Sequence, residues 1–251
     1  MSLTDDVKSL ALELGADLVG VASIERFAGA PEFYHPQGLL PQTKSVISIA
    51  IRHLHGLLVP QKNWVENYQY QIFGYGWLSH IRLNSVAFEV SRFLEDQGYI
   101  TCPFPSFCQG EGAAISNRHA AVAAGVAKFG WNNLAMTPKF GSKQRYVTVL
   151  TTAELEPDPM IEGDLCDFED CFKCVDACPA GAFSQDEAIT FEIAGQPVRM
   201  AKLDKGKCGA CHGGRGEGFK RIESRIHVTF TGGGHCGMCL IHCPKGTYAP
   251  Q

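Results

Sequence analysis

Seven of the eleven cysteines in this 251-residue chain fall into two short runs toward its C-terminal end. The first holds Cys166, Cys171, Cys174 and Cys178, followed by Pro179; the second holds Cys236, Cys239 and Cys243, followed by Pro244. Thiolates are soft ligands, and grouped at two- and three-residue gaps they are suited to zinc or to iron-sulfur clusters. A cubane of iron and sulfide needs four thiolates around a small volume. One loop presents about three of them before its backbone must leave, so the fourth comes from elsewhere.

Both runs end in Cys-x2-Cys-x3-Cys-Pro, the tail of the bacterial two-cluster ferredoxin signature, in which the cysteine before proline ligates the other cluster. On that logic one 4Fe-4S cluster takes Cys166, Cys171, Cys174 and Cys243, and the other takes Cys178, Cys236, Cys239 and one cysteine upstream. Cys208 and Cys211, in Lys207-Cys-Gly-Ala-Cys-His212, are the candidates for that place. The first run departs from the signature, because Phe168 stands where its first cysteine belongs and Cys166 is the nearest substitute. Paired Cys-x2-Cys units also build zinc ribbons. A zinc ion takes only four ligands, however, and would leave both Cys-Pro positions without purpose. Disulfides are not expected: Met-Ser-Leu-Thr-Asp-Asp does not open a secretory leader, and the expected location is cytoplasmic.

Those cysteines must be positioned by the rest of the chain. A hydrophobic content of 45% supports a real core, and no apolar run approaches the roughly 18 to 20 residues that span a bilayer, so no membrane role is expected. A formal charge of −4 argues against a broad nucleic-acid surface. Charge is uneven: positions 154–192 carry twelve acidic residues against Lys173 alone, and positions 199–225 carry eight basic residues against three acidic. This reads as an acidic face for a redox partner protein beside a basic lip for an anionic small molecule, or as solvated loops.

Thr4 reads as the N-cap of an amphipathic helix running to Gly15, Leu18–Ala22 as a short strand, and Ser45–Ile51 as a strand buried on both faces. The aromatic stretch between His53 and Trp77 has weak periodicity, and Ser79–Gln97 is a second long helix stopped by Gly98. Cys102 and Cys108 sit in a proline-rich segment and read as inert thiols. An alanine-rich helix is expected over Ser116–Lys128, then a strand pair about Phe140–Lys143 with Arg145–Thr152 as second arm. The alternation to about residue 155 predicts a layered α/β domain with a mixed sheet over 1–156. A loop-rich, ferredoxin-like, two-cluster domain is expected over 157–251.

The Gly20-Val-Ala segment, Pro41 with Ser45-Val-Ile-Ser-Ile, the segment Asn117–Leu134 and the following Gly141-Ser resemble the epoxyqueuosine reductases and their relatives, the reductive dehalogenases. The resemblance implies a nitroreductase-like α/β domain holding cobalamin against a two-cluster domain. It also implies electrons passing through the clusters to cobalt and reductive cleavage of a carbon–oxygen or carbon–halogen bond, the hard chemistry being the cofactor's. It selects Cys208 as the remote ligand and implies corrin contact at Ala124 and Gly125. Where epoxyqueuosine reductases carry an acidic proton donor, this chain has Ala114-Ile-Ser-Asn-Arg-His119, with Glu111 as the nearest carboxylate. It also ends at Gln251 without the helical repeat found in many of them, so transfer RNA is not an expected partner. Arg118 is a candidate anion contact and His119 a candidate proton donor. His212, His235 and His242 flank cluster cysteines, where they would tune a cluster by hydrogen bonding. A reading from another class is a ferredoxin-type electron carrier whose first domain only docks partners.

Overall fold

The computed structural model of the protein describes residues 2–58, 69–106, 115–212 and 236–246. Helix α1 (Leu3–Glu13) is capped by Ser2, not Thr4: Ser2 Oγ accepts from Asp5 N at 3.2 Å while Asp5 Oδ2 accepts from Ser2 N at 3.0 Å. This reciprocal pair satisfies two donors that a helix start leaves open. Thr4 is spent elsewhere, its Oγ1 accepting from Glu156 N at 2.8 Å.

Strands β1 (Leu18–Ser23), β2 (Ser45–Arg52), β3 (Thr101–Phe104) and β6 (Gln144–Thr151) form one sheet in the order β1-β2-β6-β3. Every neighbouring pair is antiparallel, which corrects the expectation of a mixed sheet. Parallel neighbours need a crossover between them. Here helix α2 (Leu83–Asp96) joins β2 to β3, which are not neighbours. Pro103 sits on β3 at the sheet edge, where its missing N–H costs no ladder bond.

β2 is buried on both faces, as its unbroken apolar run predicts. Ile47 and Ile49 face α1 and α2, packing with Val7, Val86, Val90 and Leu94. Val46 and Ala50 face the other way, onto helix α3 (Asn117–Ala123). The sheet is thus the middle of three layers. A π-helical run, Tyr70–Arg82, leads straight into α2, and Gly98 takes φ +87° just beyond its end. Helix α3, capped by Ser116, stops well short of Lys128 because Gly125 turns the chain with φ +70°.

Two short strands, β4 (Lys128–Phe129) and β5 (Ala135–Met136), clasp the turn between them, and β6 follows as expected. The cysteine-rich half contains α4 (Lys173–Asp176), α5 (Lys205–His212) and α6 (Met238–Ile241). It also contains a hairpin of β7 (Phe183–Ile193) and β8 (Gln196–Leu203). Ala194 and Gly195 turn that hairpin with φ of 50° and 75°, the positive pair that matches strand twist. Among the described residues no helix is long and apolar enough to cross a membrane.

Candidate iron-sulfur site

The turn from Gly130 to Leu134 supports the first cysteine group. Trp131, 1% exposed, donates its backbone N–H to Cys166 Sγ at 3.5 Å and its indole N–H to Ser184 O at 3.1 Å. Phe168 and Phe172 meet its ring edge-on at 6.1 and 6.2 Å. Phe168, standing in a cysteine's expected place, is therefore part of an aromatic wall.

Around Trp131, Asn132 and Met136, the thiols of Cys166, Cys171, Cys174 and Cys243 line one void, with Pro244 and Lys245 at its rim. Three come from the first run and one from the second, the interlock predicted by the two Cys-Pro ends. Burial, reinforced by the charges of Cys166, Cys243 and Cys171, pushes the Cys174 thiol up to about 12. Such thiols ionise readily only when a cation arrives among them.

A second group adjoins the first. Cys239 is raised by burial and by the charges of Cys236, Cys208, Cys174 and Cys178. Cys208 is raised by burial and then by Cys178 and Cys236. Cys178, Cys208, Cys236 and Cys239 are thus neighbours. The Cys211 and His212 side chains, Cys108, Glu111 and His235 lie outside the described residues. Among the described residues no three His, Cys, Asp or Glu side chains form a site for a single metal ion. Each of the two groups brings together four thiols, the donor number that a cubane takes.

The first half of the chain grips the second run by its backbone. Asn132 Nδ2 donates to Cys239 O at 3.1 Å, and Lys143 Nζ to Cys243 O at 2.6 Å and Lys245 O at 3.2 Å. Gly141 and Gly246, with φ of +58° and +98°, let the two backbones meet where a side chain on either would collide. Lys245 in turn pairs with Asp167 at 2.5 Å.

Sequence reasoning missed the group behind Gly237. A Cβ there would stand 2.7 Å from Tyr70 Cε1, so the Cys236–Cys239 loop lies directly on the Tyr70 ring. Arg145 Nη2 donates to Tyr70 Oη at 3.0 Å, and its guanidinium stands 4.2 Å over the Tyr75 ring. His53, Tyr70 and Tyr75 are all buried. Among the described residues, Arg145 Nε and both ring nitrogens of His53 have no hydrogen-bond partner. Burial and the Arg145 charge hold His53 well below its usual range, hence neutral. The run of aromatics between His53 and Trp77 was the visible signal, but it did not announce the arginine on β6.

Arg118 is exposed, yet burial of its surroundings and then the charge of Arg145 lower its pKa, opposed by Cys239 and Cys208. Its guanidinium donates to Asn133 O, and the charges that act on it place it near the second thiol group. His119 is placed differently from a proton donor. Its ring lies against Phe129 at 5.0 Å and Phe191 at 5.4 Å, with Nδ1 2.7 Å from Ser116 Oγ. Burial, then Arg118, pulls its pKa to about 4, so it is a neutral packing residue near pH 7.

Ala124 and Gly125 also need correction. Ala124 is fully buried with its carbonyl against Gly20, and a Cβ on Gly125 would collide with the Pro159 carbonyl. Their small size admits protein backbone; Ala124 presents no surface to a corrin, and Gly125 is half-buried. The expected acidic residues of the cluster half, among them Asp164, Glu169, Asp170 and Asp176, are exposed.

No family model matches the chain. Over 140 residues it is 34% identical to a tetrachloroethene reductive dehalogenase of Desulfitobacterium hafniense, covering 53% of this chain and 24% of that protein. Over 232 residues it is 27% identical to the epoxyqueuosine reductase of Bacillus cereus, covering 84% of this chain and 50% of the other. The chain is a relative of both groups. It spans about a quarter of the length of the first and half that of the second. In fold it is similar to an epoxyqueuosine reductase solved with a tRNA stem loop, at TM-score 0.60 and 21% identity over 96% of this chain and 64% of that one. It is also similar to a catabolic reductive dehalogenase, at TM-score 0.68 and 19% identity over 95% and 31%. Since one of these structures holds a tRNA stem loop, the fold offers no support for leaving nucleic acid out.

Proposed function

We propose that this protein is an iron-sulfur reductase that passes low-potential electrons through two 4Fe-4S clusters to an acceptor beside Arg118, and so cleaves a carbon–oxygen or carbon–halogen bond. The observation that carries this reading is the crossing of the two cysteine runs, with Cys243 in the first run's void and Cys178 and Cys208 beside Cys236 and Cys239. Support comes from its kinship with two groups whose names denote reductases. In this reading residues 1–156 hold acceptor and substrate, and residues 157–251 hold the clusters.

The acceptor proposed is cobalamin, which when bound supplies a strongly reducing metal centre for two-electron cleavage. The residues present fit it in part: Ala124 is closed to it, whereas the exposed Arg118 offers a cation for an anionic group of cofactor or substrate. Replacing carbon–halogen by carbon–hydrogen consumes two electrons and one proton and releases halide; converting an epoxide to an alkene consumes two electrons and two protons and releases water. His119, neutral and enclosed, does not carry that proton. Tyr70 holds its hydroxyl group against Arg145, whose guanidinium also lies over the Tyr75 ring. Electrons would come from a separate redox protein docking on the exposed acids of the cluster half.

Anaerobic purification with iron and sulfide analysis tests this reading. About eight irons per chain are expected, and stoichiometric zinc with little iron would overturn it. Adding cobalamin to cluster-replete protein tests the acceptor, with tighter binding to wild type than to Arg118→Ala expected. No corrin binding at all would leave the ferredoxin-type carrier as the better description.

A further inference from the structure

The two cysteine sets are gripped by one strand entrance. Lys143 stands just before β6 and Arg145 is its second residue. Arg145 reaches Tyr70, on which the Cys236–Cys239 loop rests, and Lys143 reaches the carbonyls of Cys243 and Lys245. Cys243 is the ligand that the second run lends to the first set, so it has no neighbouring ligand of that set in its own loop. Something must fix its carbonyl, and Lys143 is the side chain that does so. Its Nζ is half-buried between two backbone oxygens, where a charge is screened much less than on an open surface.

We propose that Lys143 is a positioning residue for the first cluster: it holds Cys243 in the void and, by its fixed positive charge, raises that cluster's reduction potential. This rests on the two-cluster reading above. Reduction adds one negative charge to a cluster, so a nearby cation favours the reduced form, and its removal lowers the potential. The neighbouring Lys245 cannot substitute, because its ammonium is paired with Asp167 at 2.5 Å.

The test is a dithionite redox titration, followed by electron paramagnetic resonance, of cluster-replete wild type, Lys143→Gln and Lys143→Arg. Dithionite supplies the single electron for each cluster. Glutamine keeps a donor for the Cys243 carbonyl and drops the charge; arginine keeps both. In Lys143→Gln we expect full iron, and one cluster at least tenfold harder to reduce, about 59 mV for a one-electron couple. The other cluster and both clusters of Lys143→Arg should stay near wild type. Full iron with both midpoints unmoved in Lys143→Gln overturns the proposal. Should Lys143→Gln lose the first cluster, full iron in Lys143→Arg supports a positioning cation, and loss there too overturns it, since shape alone would then be at work. Wild-type protein without iron would instead sink the two-cluster reading itself.

Discussion

The sheet half and the cysteine half of this molecule are held together by different means. Around β2 and β6 the chain buries two continuous apolar layers, with Ile47, Ile49, Val147 and Val149 on one side and Val46, Ala50 and Leu150 on the other. Burial at roughly 25 cal/mol per Å² suffices there. Around the cysteines the buried core reduces to Trp131, Cys174, Phe183 and Ala201, fringed by partly buried thiols and aromatics. The lesson is that the sheet half can stand on its packing, whereas the cysteine half has little core of its own and docks onto the first through Asn132, Lys143 and Trp131.

The sharpest way to break this contrast is to remove iron. Chelation under reducing conditions should abolish amide protection across residues 164–178 and 236–246 while leaving β2 and β6 protected, as hydrogen exchange would report. Uniform loss in both halves would show that the sheet also depends on the clusters. Next in size, Cys243→Ala should damage the cluster seated in the first run and Cys178→Ala the one seated in the second. Damage confined to each residue's own run, seen by Mössbauer or paramagnetic resonance, would undo the interlock.

A smaller effect belongs to the joint. Trp131→Ala should cost about 3 to 5 kcal/mol in denaturant midpoints and expose the first cluster to oxygen, seen as faster bleaching in air. Below that lies a pH effect in the sheet half. With His119 at about 4 in the folded state, against 6.5 when unfolded, its neutral form contributes fully above pH 6.5 and the contribution fades as pH falls toward 4. His119→Phe should flatten that slope, by about 3 kcal/mol at most, in urea titrations at several pH values. Last, Cys102→Ala should leave iron content unchanged, because Cys102 sits on the edge strand β3, packed against the alanine-rich layer away from both thiol sets.

Much of the cysteine half was legible because ligand chemistry is written as spacing. The crossing of Cys243 and Cys178 follows from two Cys-Pro ends. β2 and α2 were legible for the same kind of reason, since burial imposes a period. The β7–β8 hairpin was not, because most of β7 is exposed, as at Asp186, Glu187, Thr190 and Glu192, and carries no clean alternation. Ala194-Gly195 between Ile193 and Val198 was its one local sign. Ala124 and Gly125 show a different limit: small residues disclose a close approach without saying what approaches. His119 and Arg145 owe their character to partners far away in sequence, Phe191 and Tyr70, and no local pattern encodes those meetings.

The hairpin has one more consequence. It begins just after Cys178 and ends just before Cys208, and Phe183 pairs with Leu203 at its base. There Ala182 donates to Cys178 Sγ at 3.4 Å, Asp204 donates to Ala182 O at 2.8 Å, and Cys208 donates to Asp204 O at 3.0 Å. Closing a free loop of roughly thirty residues would cost about 3 kcal/mol of chain entropy. Strand pairing meets that cost, so Cys208, distant from Cys178 along the chain, is already next door to it in the fold.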